Sequence, residues 1–383
     1  MYADKEKDFF IQIITHIIMP QTKRLAWVDI AKGLAIAAVV LFHIEFAYPN
    51  SVLFPFSSFF GEYWHVAIFF LIAGFFIKEE KLQDCKKFII GKVKSLYLLI
   101  LYIYIPVTLL HNLFLKIGFY STSIDYCGKY VTEWSFADYA KHIAEAVFFA
   151  GREPLLGAMW FVYVLFLALC GYSVISMLLG KVFEEGKKYD GAKLVSMILL
   201  VVISCTLTQL LGITIPRGNN VLTAIFLIYV GQNIINRYHI EFNNPYAFAS
   251  SILLLWHCCT CSNNIALNSN IFDNTPLLLA ASVSALYAIC FISKKIQDTK
   301  LGSLISIFGN ESFYIMGLQF IAFKFVTLLL NLFGFDLNLA ELKAPAGTSI
   351  MLCVLYFVAG MTLPVVLVKT LRAIKNKAIG NKQ

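Results

Sequence analysis

Charge is what this chain has least of. Only 14% of its 383 residues are Asp, Glu, Lys or Arg, while 59% are hydrophobic. Soluble domains carry about 25% charged residues, so a soluble globular fold is excluded at the outset. A disulfide framework is missing too: the nine cysteines are scattered, and most sit in apolar runs where a thiol acts as a small hydrophobe. The opening "MYADKEKDFFIQIITHIIMPQT" has no small-residue cleavage site, so no removable signal peptide is read there. Residues 1–22 are expected to be a cytosolic or interfacial lead-in. There is no GxSxG elbow, no Walker A loop and no HExxH helix. The absence of an internal repeat argues against a transporter built from inverted repeats. No basic stretch is interleaved with aromatics as a strand-binding groove would be, so the net charge of +8 implies no nucleic-acid partner.

What is present is a series of apolar stretches, each near the twenty residues needed to cross about 30 Å of hydrocarbon. Ten spans are expected, at 27–47, 61–77, 93–115, 158–179, 194–211, 221–235, 245–261, 275–293, 306–332 and 350–368. The fold class is therefore all-α, a polytopic membrane protein of about ten transmembrane helices. Lys and Arg concentrate in the termini and in the loops at 78–92, 180–193, 236–244 and 294–305, whereas the loops at 48–60 and 262–274 hold none. The positive-inside rule then puts both termini in the cytosol. A helix in the outer interface is expected near 136–149, within the long 116–157 segment.

The first span, "DIAKGLAIAAVVLFHIEF", carries polar residues at a depth where each costs several kcal/mol unless it faces protein or water. Lys32 and His43 are eleven residues apart, so they share one helical stripe about 16 Å long. Lys32 close to a helix end also fits simple snorkelling to the headgroups. His65 in "EYWHVAIFFLIAGFF" lies at a depth similar to His43, and a helical hairpin would bring the two together. Two such imidazoles suit proton transfer at neutral pH. His65 fits equally well in an aromatic belt with Tyr63 and Trp64.

These segments carry a resemblance. "RLAWVDIAKGLAIAAVVLFHIEF" resembles the opening helix of the integral-membrane acyltransferase 3 family, with a basic residue, ten intervening residues and a histidine, here Lys32 and His43. "WHVAIFFLIAGFFIK", "KFIIGKVKSLYLLILYIYIP", "GAMWFVYVLFL" and "IFGNESFYIMGLQF" are similar to later family motifs, in the same order. Two departures are Gln319, where the late motif usually has His, and the order Gly309, Asn310, Glu311 in place of Gly-Lys-Asn.

The resemblance implies one acyltransferase 3 membrane domain over residues 23–383, of the fucose 4-O-acetylase-like, sugar O-acetyltransferase type. It implies transfer of an acetyl or similar acyl group from cytosolic acetyl-CoA, a co-substrate, to a hydroxyl of a cell-envelope carbohydrate or lipid-linked sugar, in the inner or cytoplasmic cell membrane. On that reading His43 and His65 are catalytic, with His43 either a general base or itself transiently acylated. Lys32, Arg24, Lys92 and Lys94 hold the CoA phosphates, and the same cations satisfy the positive-inside rule without any ligand. Glu62, Trp64, Arg152, Glu153 and Trp160 are the expected sugar-binding set, with Tyr63 beside them. Arg217 serves a lipid-linked pyrophosphate or caps a helix hairpin. No metal is expected, since His257, Cys258, Cys259 and Cys261 crowd into about a turn and a half of one helix, unlike the separated pairs of structural zinc sites. Membrane lipid is the one other partner implied. Two further classes stay open on the residues alone, a polysaccharide or lipid-linked sugar exporter and a small-solute transporter or sensor.

Overall fold

The computed structural model describes residues 25–49, 51, 53–126, 130–213, 215, 217–261, 265–272 and 275–380. The expected lead-in at 1–22 and Arg24 lie outside the described residues. The described residues are mostly helical, with nearly no sheet. Twelve helices carry the architecture: α1 (Ala26–Phe42), α2 (Ser58–Phe75), α3 (Cys85–Leu109), α4 (Phe136–Val147), α5 (Pro154–Val182), α6 (Lys187–Leu210), α7 (Gly218–Asn236), α8 (Pro245–Cys261), α9 (Thr275–Ile296), α10 (Lys300–Asn310), α11 (Ser312–Leu332) and α12 (Ile350–Gly380). Eight of these, α2, α3, α5, α6, α7, α9, α11 and α12, are long and apolar enough to cross a membrane. The two other expected spans, α1 and α8, have 17 residues each. At 1.5 Å per residue that is about 26 Å, a little less than the hydrocarbon thickness.

α1 is packed inside the bundle, touching α2, α9, α10, α11 and α12. Ten of its residues are buried, among them Asp29, Gly33, Ile36 and Val40. Its closest neighbour is α10, and small residues explain the approach: a Cβ on Gly309 would strike the Asp29 carbonyl, and one on Gly33 the Ile305 carbonyl. Gly74 of α2 and Gly231 of α7 form a second such seam, where added Cβ atoms would meet the Ile228 and Leu71 carbonyls. Membrane helices gain no hydrophobic drive from leaving lipid for one another, so close backbone packing through small residues is a main source of their association.

Several boundaries differ from the sequence reading. The first span was expected to reach Ala47, but α1 stops at Phe42. His43 caps it, and β1 (Ile44–Phe46) turns away to pair in parallel with β4 (Ala344–Gly347). The remaining strands, β2 (Ile265–Ala266) and β3 (Ile271–Phe272), form a small hairpin. The ninth span, expected as one helix from 306 to 332, is broken at Glu311 between α10 and α11. Arg372 of α12 holds the Glu311 carboxylate there with two hydrogen bonds, at 2.5 and 3.1 Å. The stretch 78–92, expected as a linker, is already helical over Glu79–Gln83 and from Cys85 onward. Charged residues in the first turns of a span disguise a helix that has in fact begun.

α4 occupies nearly the stretch expected of an interfacial helix. Ser135 and Asp138 form a capping box at its start.

Candidate active site

Residues of α1, α2, α5 and α11 line one seam, and the polar stripe of α1 faces it. Near its His43 end the seam opens into a cavity of about 130 Å³. His43, His65, Glu62, Tyr63 and Trp160 line it. The structure thus gathers four of the expected residues, both histidines with Glu62 and Trp160, around one space.

The two imidazoles are held in the same way. Nδ1 of His43 lies 2.8 Å from the Val39 carbonyl oxygen, and Nδ1 of His65 lies 2.6 Å from that of Gly61, each four residues upstream. A carbonyl oxygen only accepts, so in both rings Nδ1 donates. In the neutral ring Nε2 then carries the lone pair, and both histidines are presented as bases of the same tautomer. The Phe42 ring packs against both imidazoles, with centroids 5.3 Å from His43 and 5.1 Å from His65. Phe320 meets the edge of His43 at 4.8 Å. Gln319 is buried beside His43, and its Nε2 reaches the Met316 carbonyl at 3.4 Å.

The main chain secures the position of His43 as well. Its carbonyl accepts from the Ala344 N–H at 3.0 Å, in the bridge between β1 and β4. That strand pair brings Lys343 over the Phe42 ring at 5.1 Å. Nothing in the local sequence of 341–347 marks it as part of the site. Lys343 lines a second cavity of about 240 Å³ together with Glu45, Tyr48, Phe42 and Glu62. Phe42 and Glu62 border both cavities.

Lys32 lies on the same seam at its other end. It lines a third cavity, about 280 Å³, whose walls are otherwise mostly apolar. Its ammonium sits 2.6 Å from Asp29, one turn earlier, and the side chain is 29% exposed. Of the other expected cations, Lys92 lies over the Phe88 ring at 5.1 Å and Lys94 is exposed. Neither borders this cavity, although Leu96 on the same helix does.

Three of the residues expected to bind sugar lie elsewhere. Trp64 is buried and donates its Nε1–H to the Phe59 carbonyl at 2.8 Å. Arg152 is half exposed and 3.7 Å from Glu145. Glu153 is sealed inside the 110–155 segment, where His111 Nδ1 meets one carboxylate oxygen at 2.9 Å and the Tyr120 hydroxyl donates to the other. Burial and this carboxylate together push the Tyr120 hydroxyl well above its ordinary pKa, so it stays protonated as a donor. His111 stacks on Trp134 with centroids 3.5 Å apart, and Trp134 stacks in turn on His142 at 4.0 Å. Glu153 therefore ties down the loop, since none of its oxygens faces the cavity. Arg217 is the residue at which α7 opens; its side chain makes no capping hydrogen bond there, and its Nε–H donates to the Phe149 carbonyl at 3.5 Å.

Residues 25–369 match the family model described as an acyltransferase domain, that of the acyltransferase 3 family. No curated protein and no solved structure matches the chain.

Proposed function

The chain belongs to the acyltransferase 3 family and is a multi-pass membrane acyltransferase, and from that premise we propose that it moves an acetyl or similar short acyl group from cytosolic acyl-CoA to a hydroxyl of a cell-envelope carbohydrate or lipid-linked sugar. The observation that carries this reading is that His43 and His65 line one cavity, each with its Nδ1 occupied by a main-chain carbonyl, which leaves Nε2 as the basic atom of the neutral ring. The family leaves the exporter and the solute transporter without support.

In the transfer, the acceptor hydroxyl gives its proton to Nε2 of His43 as its oxygen attacks the thioester carbonyl. The C–S bond breaks, the ester forms, and the proton held on Nε2 passes to the departing sulfur, so CoA leaves as the thiol. His65 offers a second site for that proton on the same cavity wall. The donor approaches from the Lys32 end, where Lys32 lies in the cavity wall and Lys92 and Lys94 sit on the neighbouring α3. The acceptor approaches from the other end. There Glu45, Glu62, Lys343 and Tyr48, set among phenylalanine rings, provide the charged partners and flat apolar faces that a sugar needs.

The test is transfer of labelled acetyl from acetyl-CoA to envelope glycan in inverted vesicles, comparing wild type with His43→Ala at equal membrane levels. General base catalysis contributes about 10²- to 10⁴-fold, so the variant should lose at least a hundredfold in rate. Equal labelling by both proteins would make His43 structural.

A further inference from the structure

The Lys32 cavity and the histidine cavity are lined by the same helices, and two residues belong to both. Phe161 of α5 and Met316 of α11 stand on the far wall of one and the near wall of the other. Each is only 4% exposed. Around them the lining changes in order along every helix. On α2 it runs from Val66 on the histidine side to Phe69, Ile72 and Ala73 on the Lys32 side. On α11 it runs from Met316 to Phe313 and Ser312. The two spaces thus follow each other along the 16 Å or so that separates Lys32 from His43, with one partition between them.

The two halves of that partition differ physically. Phe161 is wedged against Phe70 and Phe69, at centroid distances of 4.8 and 5.5 Å, and is a fixed wall. Met316 is unbranched, with three rotatable bonds and a polarizable sulfur, the side chain best able to move aside and re-pack. The Lys32 cavity is the larger and the more apolar of the two, suited to the stem of a thioester, whereas the histidine cavity holds the bases and little spare volume.

We propose that Met316, closing against Phe161, is the specificity-determining partition of this enzyme: it admits the thioester carbonyl to His43 and limits the transferred acyl group to a short one. This rests on the acyltransfer reading above. The acyl tail must stay on the Lys32 side of Met316 or fit beside it, so the side-chain volume at position 316 sets the longest acyl group that reaches the base.

The test is a competition among acetyl-, butyryl- and hexanoyl-CoA in vesicles holding wild type, Met316→Ala or Met316→Leu, with the ratio of acyl esters on the glycan read by mass spectrometry. A ratio taken within one sample cancels expression level and folded fraction. Met316→Ala should raise the butyryl-to-acetyl ratio at least tenfold, and Met316→Leu, close in volume, should keep the wild-type ratio within about twofold. If wild type transfers acetyl and the Met316→Ala ratio stays within twofold of it, the partition is overturned while acyltransfer stands. Should Met316→Ala be absent from the membrane, Phe161→Leu is read in its place, with the same tenfold rise expected and the same twofold limit overturning the idea. If wild type transfers no acyl group from any of the three donors, the acyltransfer reading itself fails and takes the partition with it.

Discussion

Single side chains in this protein separate into those that face the seam and those that hold the scaffold, and Glu153 shows the difference. As an acidic residue in an outer loop beside a tryptophan it looks like a sugar ligand, yet both its oxygens are consumed by His111 and Tyr120. Removing one member of a buried, hydrogen-bonded charged pair costs about 3–5 kcal/mol, because the remaining groups are stranded. Glu153→Ala should therefore lower the melting temperature of the detergent-solubilised protein markedly, while the KM for acceptor in the surviving folded fraction stays unchanged. A raised KM with unaltered melting would return Glu153 to the sugar site. His43 and His65 are the converse case. Their place in lipid-compatible sequence makes them conspicuous, but the tautomer is set by contacts that sequence does not show, the Val39 and Gly61 carbonyls opposite Nδ1.

Helices in this bundle are set by glycine as much as by hydrophobicity. Gly309 against Asp29 and Gly231 against Leu71 bring backbones into direct contact, and a β-branched side chain in either seam has nowhere to go. Gly309→Val and Gly231→Val should each reduce the yield of monodisperse protein on size-exclusion chromatography severalfold. Gly91→Ala, where nothing lies within 4 Å, is the control. It should leave yield unchanged and stabilise by about 0.5–1 kcal/mol, since alanine is the better helix former. The break at Glu311 belongs to this scale too. Residues 306–332 are apolar enough to be read as one helix, and the clamp that divides them comes from Arg372, some sixty positions later in the chain.

At the scale of the whole molecule, the distribution of cations predicts that both chain ends share the cytosolic side, with the Lys32 cavity opening toward it and the His43 end toward the outside. A fluorescent protein fused after residue 383 should fold and fluoresce, and an alkaline phosphatase fused at the same point should be inactive. The reverse pattern would put the donor cavity on the wrong side for cytosolic acyl-CoA. The Lys32 and histidine cavities follow each other along the seam and the Lys343 cavity adjoins the second at Phe42 and Glu62, an arrangement that on the proposed reading would let a donor from one side and an acceptor from the other meet at His43.

The sequence by itself determined the helical membrane class, the approximate position of most spans, the Lys32 to His43 stripe and the family motifs, because hydropathy and helical period are local properties carried by runs of twenty residues. Only the tertiary structure decided that α1 ends at His43, that the β1 and β4 strands bring Lys343 to it, that both Glu153 oxygens are taken by His111 and Tyr120, and that Phe161 and Met316 border both cavities. Each of those facts is a contact between side chains or strands far apart in the chain. No local pattern encodes such contacts, since they arise from how closely the helices can pack.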